Sequence, residues 1–315
     1  MSADLTTLRA LVSELAHQLR DRVLPQLGSH AGRAHASAGA GGDITFAIDE
    51  EAEAYLEEFV AQRAPRVAFY SEDRGLVEPA GSAEYVLVVD PIDGTRPAMA
   101  GFEAACVSVA LAPMLDGDPL MGDVSIGAIV EIKSGASFIA ERGRGLIASV
   151  PVCLSQNRAL DRLFWVYGLR GRPARPMMEV LGEIVDASSV GGASFELGSA
   201  TYDITRVVTG QLDAYVEPGP RMIADVPGMR EAFEAVGGGS LLNNSPYDLA
   251  AALLCASESG VIVTDAYGNS LADRPLLGSG GDFQMSVIAS ANTELHALLV
   301  GQIDAGIARL KAAAN

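Results

Sequence analysis

Two aspartates, Asp90 and Asp93, close a run of four apolar residues at 86–89 and are followed by Gly94 and Thr95. The apolar run predicts a buried strand, and the proline between the two acids predicts that the strand ends there. Gly94 lets the backbone approach a ligand closely, and Thr95 is a typical N-cap residue for a following helix. Carboxylate oxygens suit a hard divalent cation, and the N–H groups at a helix start suit a phosphate. The stretch therefore predicts a site for a metal ion with a phosphate, although an isolated Asp-x-x-Asp-Gly sequence is more often a solvated turn.

Three further acids stand where predicted elements end or begin. Glu72 follows a short predicted strand at 66–70, and open α/β sheets bind their ligands at the carboxyl ends of strands. Asp49 and Asp248 each stand at the start of a helical apolar pattern, where each acid alone predicts a helix N-cap. Taken singly, these acids indicate a solvated turn and two caps, and only the neighbouring aspartate pair favours a common site.

The elements that must position these acids are a mixture of helices and strands. Apolar residues recur with helical spacing over 3–26 and again from Tyr247, whereas shorter apolar runs indicate strands. The predicted strands fall at 104–112, 124–132, 136–140, 163–167 and 261–264. A chain of 315 residues can form two cores, and the composition shifts near residue 150. The sequence therefore predicts an α/β (α+β) protein with subdomains 1–150 and 151–315.

The composition excludes some partners and favours certain metals. The net charge of −18 argues against nucleic acid and against an anionic membrane surface, because both require a basic protein surface. An acidic protein can still bind a phosphate ester where metal ions invert the local field. The candidate ligands include neither histidine nor cysteine, so Mg²⁺ is the expected ion, with Mn²⁺ as an alternative.

The cysteines and the hydropathy pattern indicate a cytoplasmic protein. The three cysteines are widely spaced among apolar residues, which is typical of reduced thiols and not of a disulfide framework. The chain shows no signal-peptide pattern, and no apolar run approaches the ~18 residues of a membrane span. We therefore expect neither secretion nor membrane insertion.

The segment 28–42 is rich in small residues and has no periodicity, so it predicts a flexible loop. It contains His30 and His35, but two isolated histidines in such a loop are more often solvated than metal-bound. We therefore assign no metal site to them.

The motif Asp-Pro-Ile-Asp-Gly-Thr at 90–95 resembles the signature of the inositol monophosphatase superfamily. This superfamily of metal-dependent, lithium-sensitive phosphatases includes fructose-1,6-bisphosphatases and nucleotide 3'-phosphatases. Further stretches at 140–145, 198–215 and 247–252 are similar to family motifs and occur in the family's order, so the resemblance covers most of residues 3–300. It implies a layered α-β-α-β-α fold, a homodimer, and a mobile loop near 28–42 that closes over the metals.

The resemblance also implies roles for individual residues. Two or three Mg²⁺ ions would be bound by Glu72, Asp90, the Ile92 carbonyl, Asp93 and Asp248. Glu72 and Thr95 would hold the attacking water, with Asp49 behind the metal cluster. The phosphate and the substrate alcohol would be contacted by Gly94, Thr95, Ser199, Ala200 and Glu217, and Glu217 would accept a hydrogen bond from a polyol hydroxyl.

Some features depart from the family pattern. Tyr247 and Ala252 replace a tryptophan and a glycine, and a long insertion at 218–246 separates Glu217 from the last motif. We expect a short helix within this insertion, around 229–236. Such an insertion beside a substrate edge is usually a lid, a specificity loop or an interface. Three arginines within six residues, Arg170, Arg172 and Arg175, indicate a solvated loop, a second phosphate site or a subunit contact.

These observations predict a Mg²⁺-dependent phosphomonoesterase for a small sugar or polyol phosphate, with inositol monophosphate first among the substrates that the resemblance implies. Fructose-1,6-bisphosphate, histidinol phosphate and nucleotide 3'-phosphate are the alternative substrates. A relative that binds a phosphorylated ligand or a protein without catalysis is a hypothesis of a different class, motivated by the departures from the family motifs.

Overall fold

The structure is a computed structural model that describes residues 5–29, 35–38, 44–114 and 117–314. The helices are α1 (Leu5–Val23), α2 (Ala47–Arg63), α3 (Thr95–Ala100), α4 (Ala174–Ser188), α5 (Ala200–Val208), α6 (Gly219–Asp225), α7 (Met229–Val236), α8 (Pro246–Ser259) and α9 (Thr293–Ala314). The strands are β1 (His35–Ala38), β2 (Ile44–Phe46), β3 (Val67–Ser71), β4 (Gly75–Val77), β5 (Tyr85–Asp93), β6 (Cys106–Pro113), β7 (Ile126–Glu131), β8 (Ser137–Glu141), β9 (Gly145–Ala148), β10 (Phe164–Tyr167), β11 (Ala193–Phe195), β12 (Ala214–Glu217), β13 (Ile262–Thr264) and β14 (Val287–Ser290).

Two large sheets and three helical layers alternate through the molecule. The first sheet has the strand order β4-β3-β5-β6-β7-β8-β9, and the second has the order β11-β10-β12-β14-β13. Helices α1 and α2 cover one face of the first sheet, α5 and α8 lie between the sheets, and α4 and α9 cover the far face of the second. This arrangement confirms the predicted α-β-α-β-α layering, whereas the division into subdomains at residue 150 stays a prediction.

Helix α8 is apolar nearly all round because sheets pack against it on both sides. Its residues Leu249 and Ala252 are fully buried. A side-chain carbon added at Gly127 of β7 would lie 3.1 Å from the Cα of Ala251, so the helix and the sheet approach very closely there. This tight packing fixes the N-terminus of α8 against the first sheet and positions Asp248 toward the end of β5.

The sequence predicted that the strand before Asp90 ends at Pro91, but β5 continues to Asp93. Asp90 pairs with Ser108 and Asp93 pairs with Cys106, so three steps along β5 oppose two steps along β6. This bulge explains why two acids an odd number of residues apart can turn to the same side, since in a regular strand they would point to opposite faces. Pro91 fits within the bulge because it has no N–H group to donate to the ladder.

The helix caps also differ from the sequence predictions. Thr95 is the first residue of α3, and Gly94, with φ +91°, is its N-cap. Helix α2 begins at Ala47, so Asp49 lies in its first turn. The N-cap of α8 is Ser245, and Asp248 is the N3 acid whose side chain accepts a hydrogen bond from the Ser245 N–H. In each case the acid or hydroxyl lies within the first turn of the helix and not at its N-cap.

The segment 28–42 and the insertion at 218–246 contain elements that the sequence predicted only in part. Strand β1 lies within the segment 28–42 that was predicted to be a flexible loop, and it pairs with β2 in antiparallel fashion. His30 and residues 31–34 and 39–43 lie outside the described residues. Helix α7 confirms the predicted short helix in the insertion, and α6 is an additional one. Across the part of the chain that the structure describes, no helix is long and apolar enough to span a membrane.

Candidate metal centre

Three carboxylates meet at the end of β5. Asp90, Asp93 and Asp248 each offer an oxygen atom, and these atoms all lie within 4.8 Å of one another. Asp90 and Asp93 are buried, and Asp248 is partly buried. Asp90 and Asp93 come from the first sheet, whereas Asp248 comes from α8 on the other side of the pocket. The tertiary structure therefore brings together residues that are more than 150 positions apart.

Burial raises the pKa of each carboxyl in this cluster, and repulsion by neighbouring carboxylates adds to the rise for Asp90 and Asp248. For Asp90, burial raises the pKa well above its usual range, and the charges of Asp93, Glu72 and Asp248 raise it further. Burial and then the charge of Asp93 raise the pKa of Asp248 to about 8. The cluster thus concentrates negative charge in a poorly solvated place, and a divalent cation there would favour the ionised carboxylates.

Each aspartate is held by backbone or side-chain donors. Asp93 Oδ2 accepts hydrogen bonds from Ser199 Oγ at 2.8 Å and from the Thr201 N–H at 2.6 Å. Asp90 Oδ1 accepts a hydrogen bond from the Ile92 N–H at 3.0 Å, across the bulge. These bonds fix the carboxylates so that their remaining lone pairs converge on one point.

Ser199 and Ala200, predicted as substrate contacts, lie at the start of α5. The Ser199 hydroxyl oxygen accepts the Tyr202 N–H at 3.1 Å, as a helix N-cap does, while its proton is donated to Asp93. A side-chain carbon added at Gly94 would lie 2.8 Å from Ser199 Cβ and 2.5 Å from the Ala104 carbonyl oxygen. The glycine therefore permits a close approach between β5 and α5, so protein atoms occupy the side on which the sequence analysis expected a ligand.

Thr95 and Asp49, predicted to act with the metal cluster, lie side by side. The Thr95 Oγ1 atom is 3.2 Å from Asp49 Oδ1 and 3.1 Å from the Ile92 carbonyl oxygen, and its single proton can be donated to one of them at a time. When Asp49 accepts this proton, the Ile92 carbonyl and a lone pair of the threonine are both available to the pocket.

Glu72 lines the same pocket as the three aspartates but lies outside the 4.8 Å group. The pocket has a volume of about 70 Å³ and is also lined by Gly94, Thr95 and the Ile92 residue. We name this space, around Asp90, Asp93 and Asp248, the acidic pocket. All its carboxylate and carbonyl donors are hard oxygen ligands, so the residues present fit Mg²⁺ or Mn²⁺ and do not suit a soft metal.

Glu217, the predicted polyol contact, is fully buried at the end of β12. Its Oε1 accepts the Gly219 N–H at 2.8 Å, and its Oε2 forms an ion pair with the guanidinium of Arg172. The lining of the acidic pocket among the described residues does not include Glu217. The structure thus places Glu217 next to the site with both carboxylate oxygens bound to protein groups.

The three clustered arginines differ from one another. Arg170 and Arg175 are exposed, although Arg175 lies in the first turn of α4 and not in a loop. Arg172 is buried, and for this residue the prediction of a solvated side chain was wrong. Arg172 is buried because Glu217 supplies an opposite charge. Arg170 lines the acidic pocket, and its charge lowers the pKa of Asp93 and Asp248 against the larger effect of burial.

Several pocket residues were missed by sequence reasoning. Leu241, Leu242 and Asn243 line the acidic pocket from the end of the 218–246 insertion, together with Gln284 from a distant loop. The Asn243 side-chain amide donates to Gln284 Oε1 at 2.9 Å, and the Gln284 amide donates to the Leu241 carbonyl at 2.5 Å. The length of the insertion was the available signal, but no motif identified these residues.

Asp203 of α5 is a further buried acid to which sequence reasoning gave no role. Its Oδ1 has no hydrogen-bond partner within the described part of the chain. Burial raises its pKa well above the usual range, and the charges of Asp93 and Glu196 add to this. Asp203, Asp93, Arg172 and Asn244 line a second, polar recess of about 70 Å³ beside the acidic pocket.

Comparisons with known proteins agree with this geometry. A family model described as the inositol monophosphatase family matches residues 4–307. The fructose-1,6-bisphosphatase/inositol-1-monophosphatase of Methanothermobacter thermautotrophicus is 25% identical over 303 residues, which are 93% of this chain and 95% of that protein. The Nus factor SuhB of Vibrio cholerae is 25% identical over 268 residues, which are 82% of this chain and 81% of that protein.

Solved structures show the same fold. The extragenic suppressor protein suhB from Bartonella henselae superposes with a TM-score of 0.71 at 21% identity, covering 94% of this chain and 98% of that one. The inositol monophosphatase from Anabaena superposes with a TM-score of 0.67 at 19% identity, covering 96% and 97%. Because the family model spans nearly the whole chain and the acids of the resembling motif converge in the structure, the protein belongs to the inositol monophosphatase family.

Proposed function

We propose that the protein is a divalent-metal-dependent phosphomonoesterase. The observation that carries this proposal is the cluster of Asp90, Asp93 and Asp248, whose three carboxylates each offer an oxygen atom within 4.8 Å of the others in a largely buried place. Three carboxylates so arranged repel one another and destabilise the fold unless a cation or protons compensate them. A fold does not by itself need such a cluster, whereas a metal site does.

The residues that would hold the metal ions are Glu72, Asp90, the Ile92 carbonyl, Asp93 and Asp248. When bound, divalent ions supply Lewis-acid stabilisation of the phosphoryl oxygens and lower the pKa of a water molecule. Glu72 and Thr95 orient that water, and the Thr95–Asp49 contact directs the hydroxyl proton away from the attacking oxygen. The N-terminus of α3 provides N–H groups for the phosphate oxygens, and Arg170 adds a positive charge at the pocket rim.

We propose Mg²⁺ as the ion, with Mn²⁺ as the alternative, because every donor is an oxygen atom. Inositol monophosphate is the first substrate to test, since relatives bear that name. Fructose-1,6-bisphosphate, histidinol phosphate and nucleotide 3'-phosphate follow. The ion pair between Glu217 and Arg172 weakens the case for a polyol, because the carboxylate that would accept a polyol hydroxyl is already bound.

A non-catalytic relative that binds a phosphorylated ligand or a protein is the second candidate. Relatives named as Nus factors motivate it. The proximity of the three aspartates, with Thr95 next to Asp49, favours the enzyme. We further propose a homodimer, a cytoplasmic location, inhibition by Li⁺ and a subdomain boundary near residue 150.

Phosphate release from a panel of inositol, sugar, histidinol and nucleotide phosphates tests the proposal. We expect release with Mg²⁺, none with EDTA, and inhibition by added Li⁺. Release that persists in EDTA would contradict a metal-dependent mechanism. Tight Mg²⁺ binding by calorimetry without release from any ester would favour the non-catalytic candidate, and absence of both would overturn the metal site.

A further inference from the structure

The acidic pocket is small compared with the space that an organic ligand needs. Its volume of about 70 Å³ is far below the roughly 300–1,000 Å³ that is typical of small-molecule sites, and the polar recess next to it is no larger. The organic group attached to the phosphate must therefore extend into a neighbouring space. Arg96, Arg170 and Gly198 mark the exit from the acidic pocket, because the same residues also line a much larger cavity.

That larger cavity has a volume of about 670 Å³, within the range of roughly 300–1,000 Å³ that is typical of small-molecule sites. Its wall is largely apolar and is formed by Pro97, Phe102, Phe195, Leu197 and Leu212. We name it the apolar cavity. It lies between the loop after α3, the segment after β11 and helix α5, so the elements that position Asp93 also form its walls.

The aromatic residues of the apolar cavity are unusually exposed for their size. Phe102 is 66% exposed as a residue, and Phe195 is 37% exposed. Exposed apolar surface next to a reactive centre indicates a ligand or partner that covers it. Tyr202 faces the same cavity, and one face of its ring is covered by the Arg206 guanidinium at 4.3 Å, so Phe102, Phe195 and Leu197 supply most of the open apolar surface.

The charges around the apolar cavity do not favour a substrate whose organic group is itself negatively charged. Arg206 is paired with Glu131, and Glu103 and Glu196 place two carboxylates in the same lining as Arg96 and Arg170. A second phosphate would therefore meet acids as well as bases. A neutral apolar group avoids this repulsion and gains from burial.

We infer that the phosphate ester taken by this protein carries a neutral aromatic or similarly apolar group, which lies against Phe102, Phe195 and Leu197. This inference rests on the proposed function, because it places the phosphate in the acidic pocket. It assigns a substrate class with an apolar alcohol to this chain, distinct from the polyol phosphates that the names of its relatives indicate.

The test compares 3-phenylpropyl phosphate with n-propyl phosphate, since both esters release a primary alcohol of similar basicity. With Mg²⁺, we expect kcat/KM to be about 10-fold or more higher for the phenyl ester, because its ring is removed from water. In the double variant Phe102→Ser/Phe195→Ser, the ratio of the two kcat/KM values should fall at least about fivefold. The matched control Val190→Ser removes an apolar side chain that is 97% exposed elsewhere and should leave the ratio unchanged.

Equal kcat/KM values for the two esters in the unmodified protein, or a ratio that the double variant does not lower, would overturn the inference. The alternative is that a second subunit covers Phe102 and Phe195, and analytical ultracentrifugation of the same proteins tests it. A dimer that becomes monomeric in the double variant, with the ratio of the two kcat/KM values unchanged, would contradict a ligand cavity.

Calorimetry with 3-phenylpropylphosphonate and n-propylphosphonate, in Mg²⁺, separates this inference from the proposed function. Neither phosphonate can be hydrolysed, so the affinity ratio reports the apolar cavity even if no ester is turned over. A preference for the phenyl phosphonate that is lost in the double variant supports the cavity and leaves only catalysis in doubt. Absence of a preference overturns the cavity whether or not the esters are hydrolysed.

Discussion

Two groups of buried charge lie close together at the candidate site, and they differ in how their charge is balanced. The acidic pocket has three carboxylates within 4.8 Å, and the pKa of each is raised by burial. The other group is the ion pair of Arg172 and Glu217, in which both side chains are almost completely buried. The first has charges of one sign, whereas the second is neutral as a pair.

This difference separates the candidate metal site from a structural contact. A balanced pair needs nothing further, and its carboxylate is not available for other partners. An unbalanced cluster lowers the stability of the fold, because its carboxylates repel one another. A cation that binds there removes the repulsion, so metal binding stabilises the folded protein. Four predictions test this comparison, from the largest expected effect to the smallest.

Replacing Asp93 by Asn should abolish catalysis without unfolding the protein. We expect kcat/KM for a hydrolysed ester to fall on the order of 10⁴-fold, because a metal ligand and its charge are lost. The amide oxygen can still accept the Thr201 N–H, and one of three repelling charges is removed, so the variant should melt in EDTA at or above the temperature of the unmodified protein. Asp21→Asn, at a 69% exposed side chain, is the control. Unchanged activity in Asp93→Asn would exclude this metal site.

Replacing Arg172 by Ala should destabilise the protein, in contrast to Asp93→Asn. The change leaves the Glu217 charge buried without its partner, which costs roughly 3–5 kcal/mol of unfolding free energy. Urea unfolding at pH 7 measures the effect, and the exposed Arg175→Ala should stay within about 0.5 kcal/mol of the unmodified protein. The double variant Arg172→Met/Glu217→Gln should lose less than Arg172→Ala. A loss below about 1 kcal/mol for Arg172→Ala would contradict a buried pair.

Glu53 provides a third case, a buried carboxyl that accepts a hydrogen bond and forms no ion pair within the described part of the chain. Ser71 Oγ donates to Glu53 Oε2 at 2.8 Å, and burial raises the pKa of Glu53 from 4.5 to about 7. Between pH 4.5 and 7 the unfolded chain has lost this proton while the folded protein retains it, so stability falls as the pH rises. We expect the unfolding free energy to fall by about 3 kcal/mol over that range because of Glu53. Above the folded pKa, Glu53 is ionised in both states and causes no further change.

The variant Glu53→Gln, which cannot titrate, isolates this contribution. The difference in unfolding free energy between the unmodified protein and Glu53→Gln should decline by about 3 kcal/mol from pH 4.5 to 7, measured by urea unfolding at each pH. A difference that rises with pH, or does not change, would show that Glu53 is ionised in the folded protein at pH 6.

Adding Mg²⁺ should stabilise the folded protein by compensating the acidic cluster. At a free concentration of about 100 times the Kd, the gain in unfolding free energy is about 2.7 kcal/mol. Thermal melting with increasing Mg²⁺, followed by excess EDTA, measures the gain and its reversal. Asp93→Asn should gain much less, whereas Arg175→Ala should gain as much as the unmodified protein. An equal gain in Asp93→Asn would mean that the ion binds elsewhere.

The sequence by itself determined the features that depend on local pattern. Apolar periodicity placed the helix at the N-terminus and the strand before Asp90, because burial of one face requires that spacing. The motif at 90–95 identified the acids, and the structure brings Asp90, Asp93 and Asp248 together as the resemblance implied. Helix α7 was also predicted, since its amphipathic pattern lies within eight residues.

Only the tertiary structure decided how these residues meet and what they contact. The bulge that turns Asp90 and Asp93 to one side depends on the pairing of β5 with β6, which a single strand does not specify. The burial of Arg172 depends on Glu217, 45 positions away, and a local reading of the arginine could only indicate a solvated loop. The apolar cavity likewise forms between segments that are distant in sequence. Contacts between such segments produce no periodic pattern in the sequence, so the sequence alone could not predict the cavity.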